Sequence, residues 1–443
     1  RHRIVLLYQI LLIKRLCFDC RMALGYTNGM KLSEELAWRG FVNQTTYKDI
    51  TVLDRQKVTF YWGVDPSADS MTIGNLAAAM MVKCFIKHGH KPVLLVGGAT
   101  GMVGDPDGKS EERELISGKQ IEHNKQAISG QYRQIFGRSF KLVDNYSWFK
   151  NINYLDFLRE IGKHVPVRQM MAREFVQTRL SESGAGISYA EFSYVLIQAY
   201  DYLQLYQKEG VTLQLCGSDQ WGNSIAGVDL IRRKTGGEAH VFSAPLITNK
   251  ASGRKFGKSE AGAVWLDPAK TTPTQFYQFW INTDDDSVGD YLKIFTEFSQ
   301  PAVAEIMTRH IENPGVRQAQ ASLAFEATKL VHGEASAMQA QRVTDYLVGR
   351  QSIKHANKKD LQELKREIPS IRSPKSGSIV DALSESGLAA SNTEARRLIA
   401  GNAISINGKK ISREQFEPAD FISGHLLLRR GKAFKDSALV ELS

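Results

Sequence analysis

The amino-acid sequence predicts an α/β protein: a doubly wound parallel sheet, then an α-helical region, then a small C-terminal α/β module. The first observation is a strand–helix–strand succession, with apolar strand patterns at Val58–Val64 and Pro92–Val96 and a helical pattern at Ile73–Lys87 between them. This succession implies parallel strands, because the helix carries the chain back across the sheet. The second is the helical spacing of apolar residues after Pro273, and the third is Asn407-Gly408, a strong hairpin-turn signal.

The same patterns extend the sheet-bearing region in both directions. Apolar residues at helical spacing between Lys31 and Phe41 predict a helix ahead of the first strand. Further along, Val211–Cys216 is predicted to be a strand, Asn223–Lys234 a helix and Ala239–Thr248 a strand. We therefore assign residues 30–262 to one doubly wound domain.

Three further segments follow this domain. Residues 263–350 are predicted to form an α-helical domain. Residues 351–375 are charged and contain two prolines, and they are predicted to be a linker. Residues 376–443 are predicted to form the small α/β module. Its expected elements are helices near Ile379–Ser386 and Thr393–Ala400 and a strand at Ala403–Ile406.

Composition places the chain among ordinary globular proteins of several domains. Its 443 residues are 42% hydrophobic, which suffices for more than one core. Four cysteines are too few for a disulfide framework and favour a reducing compartment, so we expect a cytoplasmic protein. The net charge is +10, but residues 1–29 and 351–375 contribute +4 each and 376–443 only +1. The charge therefore gives little support to nucleic-acid binding, since basic linkers are often simply solvated.

The first 29 residues differ from the rest of the chain. The apolar run Ile4–Ile13 lies between basic residues, and no acidic residue precedes Asp19. The run is too short to span a membrane, and we expect no membrane association. Two interpretations stay open: a targeting segment, or sequence foreign to the native protein with Met22 or Met30 as the natural start.

Two glycine-containing segments follow predicted strands and are typical of ligand-binding loops. Tyr61–Ser70 leaves the first strand, and Met71–Asn75 begins a helix whose unpaired N–H groups and positive dipole end suit a phosphate. Gly97–Pro106 has four glycines in its first eight residues and follows the second strand. Ligands of open α/β sheets lie at the carboxyl ends of the strands. A plain structural turn is the alternative for each segment.

Tyr194, Gln198 and Asp201 are spaced i, i+4, i+7, which places all three on one face of a helix. Neighbours such as Phe192 and Leu203 are strongly apolar, so this helix is predicted to be buried. Because buried polar groups need partners, the pattern favours a ligand-binding pocket over a solvated helix face.

Two more polar segments complete the set. Gly217–Asn223 follows a predicted strand, and Lys255–Ser259 places two lysines around Gly257 in a polar loop. Such lysines would stabilise an anion that changes during a reaction. A basic surface loop would have the same appearance.

Together and in order, these segments resemble the class I aminoacyl-tRNA synthetases and, among them, the bacterial tyrosyl-tRNA synthetases. The resemblance runs from about Met30 to Lys435 and rests on the segments YWGVDPSADS, LVGGATGMVGDP, EFSYVLIQAYDY, GSDQWGN, KFGKS and EARRLIAGNAISINGK. It implies a Rossmann-like catalytic domain, a helical domain that contacts the anticodon stem, and a small RNA-binding domain. It also implies a homodimeric ligase that joins L-tyrosine to tRNA(Tyr) at the expense of ATP, with Mg²⁺ on the ATP and no tightly bound cofactor or protein metal site.

The resemblance assigns roles in an amino-acid pocket. Tyr61 and Asp201 match the pair that binds the phenolic hydroxyl of tyrosine. The groups that hold its α-ammonium are matched by Asp105, Tyr194 and Gln198. The remaining expected pocket members are Gln220, near the carboxylate, Thr100 and Asn145.

The resemblance also assigns nucleotide and RNA contacts. The residues expected to bind ATP are Gly63, Asp65, Ser67, Gly74 and Asp219, with Lys109 and Arg113 as helpers. The residues expected to act in catalysis are Thr72, Asn75, Lys255, Lys258 and Ser259. The residues expected to contact tRNA phosphates are Arg396, Arg397, Lys409 and Lys410.

One position departs from the family pattern. The family signature HIGH or HIGN is here Thr72-Ile73-Gly74-Asn75. Threonine donates a hydrogen bond to phosphate but is shorter than histidine and carries no charge. Attack of a carboxylate on the α-phosphorus of ATP depends on positioning and charge stabilisation, so this change bears on the rate more than on the reaction.

Two other functions compete with this interpretation. A tryptophanyl-tRNA synthetase shares the fold, but Tyr61 with Asp201 and the C-terminal module argue against it. A non-catalytic RNA-binding protein derived from a synthetase would account for Thr72. The intact KFGKS segment and tyrosine pocket argue against that alternative.

Overall fold

The computed structural model describes residues 29–106, 115–181, 184, 186–248, 258–259, 262–431 and 436–443. The tail 1–28 and the candidate residues Lys109, Arg113 and Lys255 lie outside them. The described residues form two compact units. The first contains those up to Lys270 together with Thr283–Leu323, and the second contains Thr271–Asn282 together with Ala324–Ser443.

The large sheet of the first unit has six strands. They are β1 (Gln44–Thr45), β2 (Thr59–Val64), β3 (Lys91–Val96), β4 (Lys141–Asp144), β5 (Val211–Gly217) and β6 (His240–Ala244). Their order is β1-β6-β5-β2-β3-β4, and only β1 is antiparallel to its neighbour. Thr59 pairs with Lys91 and Val64 with Val96, so the predicted parallel strand–helix–strand unit is confirmed. The sequence analysis did not identify the short strands β1 and β4.

Helices of the first unit precede, separate and follow these strands. They are α1 (Leu32–Arg39), α2 (Val52–Arg55), α3 (Ile73–Lys87), α4 (Thr100–Val103), α5 (Gly118–Phe136), α6 (Tyr146–Phe149), α7 (Tyr154–Glu160), α8 (Val167–Met171), α9 (Glu174–Leu180), α10 (Tyr189–Glu209) and α11 (Trp221–Thr235). Helix α10 begins where the Ser188 side chain accepts the Glu191 N–H and ends at Gly210, whose φ is 65°. Its apolar face packs on the sheet, and Ala199 and Tyr202 are completely buried.

The helical stretch predicted from Pro273 onwards is present. Its helices are α12 (Pro273–Ile281), α13 (Asp285–Phe295), α14 (Gln300–Glu312), α15 (Gln318–His332) and α16 (Glu334–Leu347). A short hairpin, β7 (Lys258–Ser259) with β8 (Gly262–Ala263), precedes them. Within the described residues, no helix combines the length and the apolarity needed to cross a membrane.

The C-terminal part of the second unit contains a five-stranded sheet and three helices. The strands are β9 (Ser370–Ser373), β10 (Ile404–Ile406), β11 (Lys409–Lys410), β12 (His425–Arg430) and β13 (Ser437–Leu442), in the order β11-β10-β12-β13-β9; the helices are α17 (Lys358–Glu367), α18 (Ile379–Glu385) and α19 (Asn392–Ala400). The predicted hairpin turn is confirmed, because Asn407 and Gly408 have φ angles of 49° and 82°.

The charged segment assigned to a linker, 351–375, contains regular structure. Helix α17 buries Leu364, Ile368 directly after it is also buried, and β9 pairs in parallel with β13. Most charged residues of α17 lie on its exposed side. An amphipathic helix of this kind is rich in charged residues, as a linker is, so composition alone does not distinguish the two. The boundaries of the domains stay a prediction.

Candidate active site

A cavity of about 380 Å³ lies beside β2 and β5. These two neighbouring strands flank the point where the strand order of the sheet reverses. In doubly wound sheets this is where ligands bind. Many of the candidate residues line the cavity: Tyr61, Gly63, Asp65, Ser67, Thr72, Gly74, Asn75, Thr100, Asp105, Tyr194, Gln198, Asp201, Asp219 and Gln220. The segments singled out along the sequence therefore converge on one site.

Asp201 is the most strongly enclosed acid of the cavity, with 2% of its surface exposed. Its Oδ2 accepts a hydrogen bond from Asn145 Nδ2 at 2.9 Å, and its Oδ1 accepts one from Trp148 Nε1 at 2.9 Å. Burial raises the pKa of the Asp201 carboxyl from 3.8 to about 8, although these two hydrogen bonds act in the opposite direction. The acid is thus rigidly oriented while much of the cost of burying its charge remains.

Trp148 was not among the candidates. It lies in α6, directly after β4, and β4 itself was not identified from the sequence. An indole N–H is only a donor and usually finds a partner when buried, but which partner depends on the fold. The sequence offered no signal for this contact.

Three buried polar atoms in the cavity have no hydrogen-bond partner within the described part of the chain: Tyr61 Oη, Gln198 Oε1 and Gln214 Oε1. Burial, and then the charge of Asp201, holds the pKa of Tyr61 well above its ordinary value of 10, so its hydroxyl stays protonated. An unpaired buried polar group costs free energy, and such groups call for a ligand.

Gln214 is a second residue that the sequence analysis missed. It is the direct partner of Tyr61 in the parallel β5–β2 register, so the two side chains lie on the same face of the sheet. Its signal was a polar residue between Leu213 and Leu215 in an otherwise apolar strand.

A second polar group surrounds the other side of the cavity. Tyr194 Oη donates to Asp65 Oδ2 at 2.7 Å, which ties α10 to the end of β2. Gln220 Nε2 donates to Asp105 Oδ2. Two carboxylates with adjacent amide and phenol oxygens form a surface that suits a cation such as an ammonium group.

Thr100 and Asn145 connect the glycine-rich segment to this site. Asn145 is completely buried; its Nδ2 donates to Thr100 Oγ1 at 3.0 Å, and its Oδ1 accepts the Ala99 N–H at 2.7 Å. A Cβ on Gly97 would lie 2.0 Å from Thr100 Oγ1 and 2.3 Å from Asp65 Oδ1. Only glycine therefore lets this loop approach the carboxylate so closely.

The beginning of α3 forms another wall. Thr72 is its N-cap, and its backbone N–H and hydroxyl both donate to Asn75 Oδ1, at 2.9 and 3.1 Å. These bonds occupy the amide oxygen of Asn75, a residue that lines the cavity, so its side chain has its amino group left to donate. Together with the helix dipole, that donor suits an anionic ligand.

The lysine loop is described only in part. Lys258 and Ser259 form β7, which pairs with Gly262–Ala263, and Lys255 lies outside the described residues. The roles expected for this loop stay predictions.

The candidate RNA contacts lie in the C-terminal sheet module. Arg396 and Arg397, on α19, have side chains 57% and 79% exposed, with Glu414 at 3.3 Å and Glu394 at 4.0 Å respectively. Lys409 and Lys410 form the exposed edge strand β11. Within the described residues, no group of three or more His, Cys, Asp or Glu side chains could hold a metal ion.

Comparisons with known proteins agree with this geometry. Residues 53–349 match the family model "tRNA synthetases class I (W and Y)", and residues 360–435 match "Tyrosine--tRNA ligase SYY-like C-terminal domain". Tyrosine–tRNA ligase 2 of Bacillus cereus is 43% identical over 425 residues, which is 93% of this chain and 100% of the relative. Tyrosine–tRNA ligase of Staphylococcus epidermidis is 42% identical over 412 residues, 90% and 97% of the two chains.

Solved structures show the same relationship. A C-terminally truncated mitochondrial tyrosyl-tRNA synthetase of Aspergillus nidulans aligns with a TM-score of 0.64 and 28% identity, covering 74% of this chain and 96% of that one. A tryptophanyl-tRNA synthetase of Plasmodium falciparum aligns with a TM-score of 0.51 and 13% identity, over 74% and 85%, which shows a shared fold alone. The chain therefore belongs to the tyrosyl-tRNA synthetase family of class I aminoacyl-tRNA synthetases.

Proposed function

We propose that this chain is a tyrosine–tRNA ligase, which activates L-tyrosine with ATP and transfers it to the 3′-terminal adenosine of tRNA(Tyr). The observation that carries the proposal is the buried pair Tyr61 and Asp201. The Tyr61 hydroxyl has no partner within the described residues, and the Asp201 carboxylate is held by two donors. A phenolic hydroxyl placed between them donates to Asp201 and accepts from Tyr61.

The same pair excludes phenylalanine. Without the substrate hydroxyl, the Tyr61 hydroxyl and the Asp201 carboxylate stay buried and incompletely bonded. Each such group costs about 1–3 kcal/mol, so discrimination of roughly a hundredfold or more is expected. Gln214, on the same face as Tyr61, adds a polar contact to this part of the pocket.

The α-ammonium of tyrosine is proposed to bind Asp105, Tyr194 and Gln198. The Tyr194 hydroxyl donates its one hydrogen bond to Asp65, so its oxygen is left to accept a hydrogen bond from a ligand in the cavity. Gln198 Oε1 has no partner within the described residues and also accepts. Gln220, Thr100 and Asn145 complete the pocket around these groups.

ATP is proposed to lie along the start of α3. The proposed contacts are Gly63, Asp65, Ser67, Thr72, Gly74, Asn75 and Asp219, with Lys109, Arg113, Lys255, Lys258 and Ser259 on the pyrophosphate. The tyrosine carboxylate oxygen bonds to the α-phosphorus while the bond to the β-phosphate oxygen breaks, giving tyrosyl-adenylate and pyrophosphate. Mg²⁺ arrives as the ATP complex, in which phosphate oxygens supply ligands. The enzyme contributes position and positive charge at the leaving group.

The RNA contacts are proposed to come from the later domains. Residues 263–350 contact the anticodon stem, and Arg396, Arg397, Lys409 and Lys410 of the module 376–443 contact tRNA phosphates. A cytoplasmic homodimer is also proposed. Large apolar side chains are exposed on α7, α8 and α10, namely Leu155, Val167 and Tyr189, and burial of such side chains in a subunit interface supports this proposal.

ATP–pyrophosphate exchange with tyrosine, tryptophan and phenylalanine in parallel tests the proposal. Exchange with tyrosine alone is expected. Exchange with tryptophan would contradict the assigned specificity. A folded protein without exchange for any amino acid would support the non-catalytic RNA-binding alternative, for which Thr72 is the only sequence argument.

A further inference from the structure

A chain of hydrogen bonds leads from the cavity to an arginine outside the pocket. Gln220 Nε2 donates to Asp105 Oδ2. Gln220 Oε1 in turn accepts from Asn223 Nδ2 at 3.0 Å, and Asn223 Oδ1 accepts from Arg173 Nη1 at 2.5 Å. Arg173 and Asn223 do not line the cavity. Each amide therefore points its oxygen towards Arg173 and its nitrogen towards Asp105.

Both ends of this chain of hydrogen bonds set its direction, because the Asp105 carboxylate only accepts and the Arg173 guanidinium only donates. A guanidinium group only donates hydrogen bonds, so it fixes which end of the Asn223 amide faces it. The other end of that amide must then donate, which fixes the Gln220 amide in the same way. Asn223 is 1% exposed, so water does not compete for the two hydrogen bonds of its side chain. A charged donor at one end also polarises and strengthens the successive bonds.

The backbone at the start of α11 lies very close to the same guanidinium group. A Cβ on Gly222 would lie 2.9 Å from both Nε and Nη2 of Arg173. That is too close for a real side chain, so an alanine here would displace the flexible end of Arg173. The glycine therefore permits close approach of the guanidinium group, whereas helix formation by itself would favour alanine at this position.

We propose that Arg173 is a positioning residue for tyrosine binding, acting through Asn223 and Gln220 on Asp105. Its charge keeps the Gln220 amino group on the Asp105 carboxylate, which leaves the carboxylate oxygens aimed at the incoming ammonium group. This inference rests on the proposed function, in which Asp105 binds the α-ammonium of tyrosine. It predicts a larger effect on tyrosine binding than on ATP binding, because the chain ends on Asp105, which is assigned to the ammonium group of tyrosine.

The test compares Arg173→Met, Arg173→Lys, Asn223→Asp and Gly222→Ala in full-length protein by ATP–pyrophosphate exchange. Asn223→Asp keeps the size of the side chain and its bond to Arg173 but removes the donor to Gln220. We expect Arg173→Met and Asn223→Asp to raise the KM for tyrosine about tenfold, with the KM for ATP and kcat changed less than about twofold. Arg173→Lys restores part of the loss, because it still supplies a cationic donor.

Gly222→Ala separates this role from general stability. Alanine is the better helix former, so the melting temperature is expected to stay the same or rise. The KM for tyrosine is nevertheless expected to rise, because the guanidinium group is displaced. A merely structural role for Arg173 would instead lower kcat and the melting temperature together and leave the ratio of the two KM values unchanged.

Asp105→Asn distinguishes failure of the inference from failure of the proposed function. If Asp105→Asn leaves the KM for tyrosine unchanged, Asp105 does not bind the ammonium and the proposed role of this site is wrong. If Asp105→Asn raises that KM while Asn223→Asp and Arg173→Met keep the wild-type value, the proposed function stands and the positioning role of Arg173 is overturned.

Discussion

Two regions of this chain carry their polar groups in opposite ways. In the cavity, Tyr61 and Asp201 are 3% and 2% exposed, and the Tyr61 hydroxyl has no partner within the described residues. In the C-terminal module, Arg396 and Arg397 are 57% and 79% exposed and lie beside acidic side chains. Buried groups carry a desolvation cost that only the correct small ligand offsets, whereas exposed ion pairs are weak and easily exchanged for phosphates.

The difference explains how one chain can recognise two such unequal ligands. An amino acid offers few atoms, so its identity has to be read by a few enclosed, oriented groups. A tRNA offers many phosphates, so exposed charged side chains suffice to bind it. These side chains carry little desolvation cost in the free protein. The two regions should therefore respond differently to mutation, pH and salt.

The largest effect is expected from Asp201→Ala in the cavity. The change removes the acceptor for the tyrosine hydroxyl and leaves the Asn145 and Trp148 donors unpaired. We expect kcat/KM for tyrosine in pyrophosphate exchange to fall about a thousandfold. An Arg397→Ala variant, measured beside it, should keep wild-type exchange. A loss of less than about tenfold in Asp201→Ala would contradict the assigned role.

The pH dependence of stability isolates the burial of the same acid. The folded pKa of Asp201 is about 8, above its ordinary 3.8, so the folded state binds the proton more tightly and loses stability as pH rises between these values. Relative to Asp201→Asn, the free energy of unfolding of the wild type should fall by up to about 4 kcal/mol between pH 5 and pH 8. Denaturant titrations at several pH values measure it. A pH-independent difference would mean that burial does not perturb this acid.

Tyr61→Phe tests whether the buried Tyr61 hydroxyl increases the preference for tyrosine over phenylalanine while it lowers the free energy of unfolding. We expect the preference for tyrosine over phenylalanine to fall about tenfold, because one of the two groups that read the hydroxyl is lost. The free energy of unfolding should stay the same or rise by about 1 kcal/mol, because a buried unpaired oxygen is removed. Lower stability together with unchanged specificity would refute this interpretation of the pocket.

The exposed region is tested by the double change Arg396→Ala and Arg397→Ala. Pyrophosphate exchange and melting temperature should not change, since the side chains are exposed. The KM for tRNA in aminoacylation should rise about tenfold, and its dependence on salt should become less steep. An unchanged KM for tRNA at several salt concentrations would place the RNA contact elsewhere.

The smallest effect is expected from Trp148→Phe. The change removes one of the two donors to Asp201 but keeps an aromatic ring in place. We expect the KM for tyrosine to rise about threefold to tenfold, with the KM for ATP unchanged. Equal changes in both constants would indicate a general disturbance of the site.

Much of the site could be predicted because its residues lie in short, ordered segments beside strand ends. The spacing of Tyr194, Gln198 and Asp201 places all three on one helical face, and all three line the cavity. The parallel pairing of the first two predicted strands followed from the helix between them. These inferences needed only local periodicity and chain connectivity.

Other features could not be predicted because they depend on contacts between distant segments. Gln214 became recognisable only through its register with Tyr61. The segment 351–375 looked like a linker because its charges are evident in the sequence, while its pairing through β9 with β13 is not. Short strands such as β4 carry too few residues to show a period.

By itself, the sequence determined the α/β succession, the helical face that carries three pocket residues, and the motifs that place the chain in its family, because these are properties of neighbours along the chain. Only the tertiary structure decided which polar groups are buried without partners, which donors orient Asp201, and how Arg173 reaches Asp105 through two amides. Burial and hydrogen-bond direction arise from segments brought together across the fold, and no local pattern encodes them.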